Sequence, residues 1–395
     1  MNRQGSYSPW TPHHHGTHRN LLVATSADVA PRALVDAVIV PAARPVESLD
    51  TAIEVARELG CVLVAICSQQ VKADELVDRA VDRGTSVVAF DVDAVDDDLP
   101  SFETSAVVAD SRFERFTDLS RKRNLALLLA RMAGWQRVLL LDDDIRGVHA
   151  SDVCAAAGLL NRYDAIGLRN RGFPDNSVVC HVGREVGFDQ DQFIGAGCLV
   201  IAPSRVESFF PDIYNEDWLF LLGGHTPPRL AVTGRMRQRT FNPYADPDRA
   251  RREELGDCLA EGLVWLLDDG QELDRADLNH WRRFLNHRKR FIDELLQRLD
   301  ASYILNAGMV AAVNAARQVC TALAREPDVC EGYVQLWRSD LVRWRKYLAK
   351  LPEGLGVEKA LAELGWYGAA RLHSAPPHQD DPLLCVDGRS GPGRA

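Results

Sequence analysis

Three consecutive aspartates, Asp142, Asp143 and Asp144, directly follow the apolar run VLLL at residues 138–141. Like charges at the end of a buried strand are unfavourable unless a counter-charge is present. In an extended segment successive side chains point to opposite faces, so Asp142 and Asp144 are expected to share one side. Two such carboxylates suit a hard divalent cation, which completes its shell with phosphate oxygens. The alternative is that Asp144 caps a following helix or turn while its neighbours are solvated.

A second pair of carboxylates, Glu216 and Asp217, begins the segment EDWLFLL. Partial burial by the apolar residues raises the pKa of a carboxyl group toward the range of a general base. The adjacent Trp218 is expected to form an apolar or sugar-stacking wall. The alternative is a helix N-terminus, where acidic residues complement the dipole. Upstream, FIGAGCLVI places Gly195 and Gly197 before a strand, which permits close backbone approach by a ligand.

Two basic segments supply candidate phosphate ligands. GRMRQRTF carries Arg235, Arg237 and Arg239 at alternate positions, hence on one face of an extended segment. Aligned guanidinium groups donate bidentate hydrogen bonds to a diphosphate. SRKRN, at 120–124, opens a helical pattern with three cations and is a second candidate anion contact. The alternatives are a salt-bridged sheet edge and an exposed first helical turn.

Alternating strand and helix patterns from residue 36 onward provide the elements that position these residues. The strand candidates DAVIVPA, CVLVAICS, TSVVAFDV and QRVLLLDDD alternate with the helix candidates SLDTAIEVARELG, ADELVDRAVDRG and RKRNLALLLARMAGW. This order predicts a mainly parallel sheet that binds its ligand beyond the carboxyl ends of its strands. Between 161 and 241, shorter candidates predict a mixed, partly antiparallel second half: DAIGLRN, SVVCHVG, AGCLVIAP and LAVTGRMRQRTF.

We predict four segments along the chain: a disordered tail at 1–20, a sheet domain at 21–245, a helical C-terminal region at 246–372 and a second disordered tail at 373–395. The first tail is polar, carries His13, His14 and His15, and lacks the apolar stretch of a signal peptide. In the helical region, HWRRFLNHRKRFIDELL forms a basic amphipathic pattern that binds an anionic acceptor, touches an anionic surface or faces solvent. Its candidate residues are Trp281, Arg282, Arg283, His287 and Arg288.

Composition excludes several classes of protein. The formal net charge of -10 argues against a broad nucleic-acid surface, which needs clustered Lys and Arg. No apolar stretch reaches the ~20 residues of a membrane span. Nine cysteines without a CxxC pair favour free thiols in a reducing compartment, for which the cytoplasm is the default.

Taken in order, these motifs resemble those of nucleotide-sugar glycosyltransferases of the A fold, in particular the family 2-like enzymes. VIVPAARPVESLDTAIEVA resembles their first strand and nucleotide loop, and KRNLALLLARMAGWQRVLLLDDDI resembles their helix leading into the DxD motif. FIGAGCLVI resembles the acceptor-side glycine strand, and NEDWLF resembles the ED catalytic motif. The resemblance covers residues 36–241 and does not extend to the helical C-terminal region.

The resemblance implies an A-type α/β fold: a mixed, mainly parallel sheet flanked by helices, with an α-helical C-terminal appendage. Residues 21–245 then form a nucleotide-sugar-binding catalytic domain. This domain moves a single sugar from a UDP- or GDP-sugar to a hydroxyl of a small-molecule or glycan acceptor, with inversion. Asp142 and Asp144 bind Mn²⁺ or Mg²⁺, and Asp217 deprotonates the acceptor with support from Glu216. The residues expected near the donor are Pro41, Ala42, Arg44, Asp91, Arg123, Asn124, Asp143 and Arg237.

Some features depart from the family pattern. The second strand ends in Ser68, Gln69 and Gln70 where the family has acidic residues, so the nucleotide stays open. His225 is the nearest candidate for a histidine metal ligand, with a structural or solvated role as the alternative. The QxxRW signature of processive members is absent, which argues against a polymerising synthase. Retaining enzymes share the fold, so the stereochemistry stays open, as does a homo-oligomeric state.

Two other functions compete with the transferase. A sugar-phosphate nucleotidyltransferase has a similar sheet but carries a glycine-rich loop after its first strand, and VPAARPVE has no glycine. A non-catalytic glycosyltransferase-like binding or scaffold protein has no need of both acidic motifs, and this chain has both DDD and NED.

Overall fold

The structure is a computed structural model that describes residues 21–96, 99–172, 177–188, 193–224, 227–301 and 306–375. Its centre is a ten-stranded sheet. The strands are β1 (Leu22–Ala24), β2 (Ala37–Ala42), β3 (Val62–Cys67), β4 (Val87–Asp91), β5 (Val138–Leu141), β6 (Ile145–Arg146), β7 (Ala165–Asn170), β8 (Cys198–Ile201), β9 (Leu230–Gln238) and β10 (Arg371–His373).

Twelve α-helices among the described residues flank or extend this sheet. They are α1 (Asp50–Leu59), α2 (Ala73–Val81), α3 (Glu103–Val108), α4 (Leu119–Ala133), α5 (Ala150–Leu159), α6 (Val178–Glu185), α7 (Glu216–Leu222), α8 (Pro247–Asp268), α9 (Leu278–Ala301), α10 (Ala307–Arg325), α11 (Asp328–Leu348) and α12 (Val357–Glu363). The first helix is typical of the flanking ones, because it buries one apolar face and ends at Gly60 in the left-handed conformation (φ 64°).

The sheet has the strand order β1-β9-β7-β8-β5-β2-β3-β4-β10, with β6 paired to β9. Strands β5, β2, β3 and β4 are mutually parallel, and β7, β9 and β1 form a second parallel group. Between these groups β8 runs antiparallel to both β5 and β7. All residues of β2 and β5 are buried, as expected for parallel strands covered on both faces. The predicted mixed, mainly parallel sheet flanked by helices is confirmed.

Two local predictions are wrong. SVVCHVG does not form a strand, because Ser177 caps helix α6 by accepting a hydrogen bond from the Cys180 amide (3.4 Å). The apolar residues of α6 pack against α10 instead of joining the sheet.

The helical pattern also stops before residue 372: α12 ends at Glu363, Gly365 takes a positive φ of 71°, and β10 pairs antiparallel with β4. His373 therefore belongs to an edge strand and not to a tail.

Seven of the described cysteines are free, in agreement with the expected free thiols, and six of these are buried. Burial raises the pKa of the Cys61 and Cys67 thiols to about 12, so these two sulfurs are protonated and unreactive at neutral pH.

The C-terminal helices share a hydrophobic core with the sheet. One cluster of buried side chains contains Ile39 of β2 and Val64 of β3 together with Leu255 of α8 and Trp337 of α11. The helices therefore cover one face of the sheet and extend its core. Of the helices that the structure describes, not one is both long and apolar enough to cross a membrane.

A buried ion cluster joins α8 to α9. Arg288 is 3% exposed and donates hydrogen bonds to Glu254 (2.7 Å), Asp257 (3.1 Å) and Glu261. Burial raises the pKa values of Glu254 and Asp257, and Arg288 opposes this rise. One guanidinium group thus compensates three carboxyl groups in the interior.

The basic helix α9 is consequently divided between core and solvent. Trp281 and Arg288 are buried, so neither is available to a substrate as the sequence pattern suggested. Arg282 and Arg283 are exposed. The alternative of a solvent-facing helix therefore holds for part of α9, including these two arginines.

Replacing Arg288 with Met is expected to lower the free energy of unfolding by about 3–5 kcal/mol, because three buried carboxyl groups lose their cation. The measurement is urea denaturation at pH 7. Arg290→Met, which removes an exposed arginine from the same helix, is the control and should change stability by less than about 0.5 kcal/mol. Equal stabilities of the two variants would contradict the assigned role of Arg288.

Candidate active site

The aspartate triplet forms a turn at the carboxyl end of β5. The strand ends at Leu141, and the Ile145 amide donates a hydrogen bond to the Asp142 carbonyl oxygen (3.1 Å). The expectation of an extended segment with alternating faces is therefore wrong. The turn allows β6 to leave β5 and to pair antiparallel with β9. As a result, each of the three carboxylates meets different partners.

Arg123 joins the two acidic segments. This residue of α4 donates hydrogen bonds to both carboxylate oxygens of Asp142 (2.8 and 3.0 Å) and to Glu216 Oε1 (2.7 Å). Its side chain is 3% exposed, and its guanidinium carbon lies 5.3 Å from the Phe210 ring centroid. Burial opposes the charge, but Asp142 and Glu216 together raise the pKa of Arg123. Arg123 was expected near the donor, but its hydrogen bonds go to carboxylates of the protein itself.

Asp143 holds the loop that follows β2. Its Oδ2 accepts hydrogen bonds from the backbone amides of Ala43 (2.8 Å) and Arg44 (2.9 Å), and the Arg44 guanidinium group also contacts Asp143. Pro41 and Ala42 form the buried end of β2 directly before this loop. Asp143 therefore fixes the loop against the aspartate turn, with Arg44 half-exposed at its edge.

Asp144 is largely buried between two polar side chains. Gln238 Nε2 lies 3.3 Å and Arg44 Nη2 lies 3.4 Å from Asp144 Oδ2. Burial raises the pKa of Asp144 to about 6; the negative charge of Asp142 adds to this rise, and Arg44 opposes it. Arg237, the neighbour of Gln238 on β9, is exposed. Asp142 and Asp144 therefore act on each other electrostatically even though the segment is not extended.

Asp217 lies in the first turn of α7 and against the glycine segment. The backbone amides of Ala196 and Trp218 donate hydrogen bonds to its two carboxylate oxygens (3.0 and 2.9 Å). A Cβ atom at Gly195 would lie 2.5 Å from Asp217 Oδ2, and one at Gly197 would lie 3.3 Å from Asp142 Oδ2. The two glycines thus make room for the protein's own carboxylates, whereas the sequence suggested room for a ligand.

The environment of Asp217 favours its protonated form. Burial raises the pKa of Asp217 to about 6, and the negative charge of Glu216 adds to the rise. Arg123 and the hydrogen bond from Ala196 act in the opposite direction. This carboxyl group titrates close to neutral pH, as a general base requires.

Trp218 does not form a wall for a sugar ring. Its side chain is 1% exposed and packs against Phe193, with ring centroids 5.7 Å apart. The expectation of an exposed aromatic next to Asp217 is wrong because α7 turns Trp218 into the core. Glu216 is also buried, and it accepts hydrogen bonds from Arg115 (2.9 Å) and Arg123.

Helix α8 of the C-terminal region contacts the segment that begins α7. Asn215 precedes α7 in the left-handed conformation (φ 58°), and its side-chain amide donates a hydrogen bond to Asp257 of α8 (2.7 Å). Helix α8 comes this close because residue 256 is glycine: a Cβ atom there would lie 2.1 Å from the Tyr214 carbonyl oxygen. The position of Asp217 therefore depends on the helical region.

Three residues expected to contact an anion or the donor are engaged within the protein. Asn124 donates to the Phe210 carbonyl (2.9 Å) and accepts from the Phe210 amide (2.8 Å). The Lys122 ammonium group donates to the Ala42 carbonyl (2.7 Å) and to Ser68 Oγ (2.5 Å). Asp91 accepts from the amide at the start of α2 (3.1 Å). These residues order the strand ends around the site.

The sequence patterns missed Arg115 and Gln238, which bind Glu216 and Asp144. Gln238 lies within the segment GRMRQRTF, where it alternates with the arginines. This alternation was the sequence signal that could have indicated Gln238 as a site residue. Arg115 stands in no recognisable motif. The candidate metal ligand His225 and the histidines of the N-terminal tail lie outside the described residues.

The site has an excess of negative charge that fits a hard divalent cation. Five carboxylates face three guanidinium groups in one connected network, which consists of Asp142, Asp143, Asp144, Glu216 and Asp217 with Arg44, Arg115 and Arg123. Carboxylate oxygens are the donors that Mg²⁺ and Mn²⁺ prefer. Asp142 is the most exposed of the three aspartates, at 25% of its side chain, and Asp144 acts on it. These two carboxylates are therefore the candidate ligands.

Replacing Asp217 with Asn is expected to stabilise the metal-free protein more at pH 8 than at pH 5. The folded state raises the pKa of Asp217 to about 6, so the wild type loses stability as the pH rises through this value and the carboxylate forms. The measurement is urea denaturation with a chelator at both pH values.

Asp93→Asn is the matched control, because that side chain is 88% exposed. Its effect should be the same at both pH values. A stability difference for Asp217→Asn that does not change with pH would contradict the raised pKa.

No protein-family model and no curated protein matches the chain. Among solved structures, one match is the mannosyltransferase PcManGT from Pyrobaculum calidifontis in complex with GDP-Man and Mn²⁺. The two chains are 13% identical, with 87% of this chain and 90% of that chain covered, at a TM-score of 0.39. At that score the likeness assigns no role to any residue.

Proposed function

We propose that the protein is a metal-dependent glycosyltransferase. It moves a single sugar from a nucleotide-diphosphate sugar, such as a UDP- or GDP-sugar, to a hydroxyl of a small or soluble acceptor. One observation carries the proposal: the aspartate turn and Asp217 flank the same glycine segment, and Arg123 binds both Asp142 of the turn and Glu216, the residue next to Asp217. This arrangement supports the proposal, because group transfer from a diphosphate needs a cation beside the leaving group and a base beside the acceptor.

The donor diphosphate would bind between the loop after β2 and the aspartate turn. Asp142 and Asp144 would hold Mn²⁺ or Mg²⁺, which offsets the negative charge of the diphosphate leaving group. Arg44 and Arg237 are exposed beside this turn and would contact phosphate oxygens. Asp143 would act by ordering the loop amides.

Around these groups, Pro41, Ala42 and Asp91 would line the nucleotide side of the site. Asn124 and Arg123 would act as positioning residues, because both are bound to other parts of the protein.

Asp217 would act as the base in a single displacement. Its carboxylate would take the proton of the acceptor hydroxyl while that oxygen bonds to the anomeric carbon and the bond to the diphosphate breaks. Glu216 would support Asp217 in two ways. It would hold Arg123 in position, and its negative charge would raise the pKa of Asp217. Attack opposite the leaving group would invert the anomeric centre.

Asp217→Asn is expected to lower kcat by about 10²–10⁴-fold, because the acceptor loses its base. The donor KM should change little, since Asp217 would contact the acceptor and not the donor. The measurement is nucleoside diphosphate release from a panel of nucleotide sugars and acceptors with Mn²⁺. In the wild type the rate should fall as the pH drops below about 6, where Asp217 is protonated.

Asp269→Asn is the control, because it removes an exposed carboxylate at the end of α8. Full activity of Asp217→Asn would contradict the assigned base. Pyrophosphate release from a nucleoside triphosphate and a sugar phosphate would instead indicate a nucleotidyltransferase. Cation-dependent nucleotide binding without turnover on any acceptor would indicate a binding protein.

Removal of the divalent cation is expected to abolish turnover and nucleotide binding together. In a thermal-shift assay, UDP or GDP should stabilise the wild type with Mn²⁺ and lose this effect with a chelator. Asp144→Asn, which keeps the side-chain shape, should lose most of the Mn²⁺-dependent shift. Equal shifts with and without the cation would contradict the metal site.

A further inference from the structure

A second polar pocket, of about 720 Å³, lies beside β9. It is formed by the segment after β1, the start of α5, the end of β7 and the middle of β9. Along β9, Arg235 of this pocket is three residues from Gln238 of the candidate active site, a separation of about 10 Å in an extended strand. We propose that this pocket binds the phosphate group of a small ligand. The inference does not rest on the transfer reaction proposed above.

Three arginines line the pocket, and none has an ion-pair partner among the described residues. Arg169 and Arg235 are direct neighbours on the parallel strands β7 and β9, and Arg171 lies two residues further on. Like charges side by side on adjacent strands are destabilising. Within the described part of the chain, no carboxylate forms an ion pair with these guanidinium groups. An anion between them would remove the repulsion and accept several charge-assisted hydrogen bonds.

A buried hydroxyl group supplies an independent sign of a missing partner. Thr233 lines the pocket and is 2% exposed, and its Oγ1 atom has no hydrogen-bond partner among the described residues. A buried hydroxyl without a partner is costly, at about 1–3 kcal/mol. A phosphate oxygen in the pocket would accept a hydrogen bond from this hydroxyl group.

The N-terminus of α5 adds a favourable field. His149, Ser151 and Asp152 line the pocket, and His149 is the N-cap of this ten-residue helix without a capping hydrogen bond from its side chain. The unpaired amides and the dipole of a helix N-terminus attract anions.

Two carboxylates also line the pocket and set its charge. Asp152 accepts a hydrogen bond from the Arg235 amide (3.1 Å), and it lies against Gly234, where a Cβ atom would come within 2.6 Å. Asp28 is exposed at the mouth. Three arginines against two aspartates leave a positive balance, to which the helix adds. The donor set of arginines and a hydroxyl suits the several oxygens of a phosphate group.

The test is isothermal titration with inorganic phosphate and with glycerol phosphate, against chloride at the same ionic strength. Arg235→Gln should weaken phosphate binding at least about tenfold. Thr233→Val, which keeps the shape and removes an unpartnered hydroxyl, should weaken binding without loss of thermal stability. Asp28→Asn should tighten binding by about threefold, a gain that misfolding cannot produce.

Arg162→Gln removes an exposed arginine elsewhere and should leave the affinity unchanged. Tighter binding of glycerol phosphate would assign the site to an organic phosphate, and equal binding would assign it to free phosphate. Phosphate binding that is absent, or that is insensitive to Arg235→Gln and Thr233→Val, would overturn the proposal. Equally tight binding of malonate would overturn the choice of phosphate.

Discussion

The ion pairs of Arg123 are the constraint on which the rest of the site depends. One buried guanidinium group binds Asp142 at the end of β5 and Glu216 at the start of α7, two positions far apart in the chain. Removal of this cation would leave two carboxylates without compensation in a partly buried site. Because Arg123 lies on α4, packing of that helix against the sheet fixes the distance between the two acidic segments.

The C-terminal helices take part in the same chain of contacts. Arg288 and Asn215 both donate hydrogen bonds to Asp257. Asn215 in turn precedes the helix that carries Asp217. The cluster around Arg288 contains three carboxyl groups and one guanidinium group. Because it is buried, its carboxyl groups cannot exchange Arg288 for water. The helical region therefore contributes to the geometry of the site in addition to covering the sheet.

Sequence patterns predicted the sheet well and the site in part. Continuous apolar runs such as AVIVPA and VLLL identified the parallel strands, because burial on both faces leaves few alternatives. SVVCHVG failed because an N-cap serine and contacts with α10 outweighed β-propensity. The acidic motifs were found, but the turn at Asp142 and the burial of Trp218 depend on tertiary contacts that spacing does not encode. For the same reason, the role of Arg115 and the ion partners of Arg123 could not be predicted from the sequence.

The hydrogen bonds that the Ala43 and Arg44 amides donate to Asp143 have a consequence for genetics. Two backbone amides and the Arg44 guanidinium group bind this carboxylate, so its loss is expected to disorder the loop after β2. A variant at Asp143 would therefore imitate a binding-site defect through the disorder of this loop alone. Of the three adjacent aspartates, the middle one would mislead a survey that infers contact from loss of function.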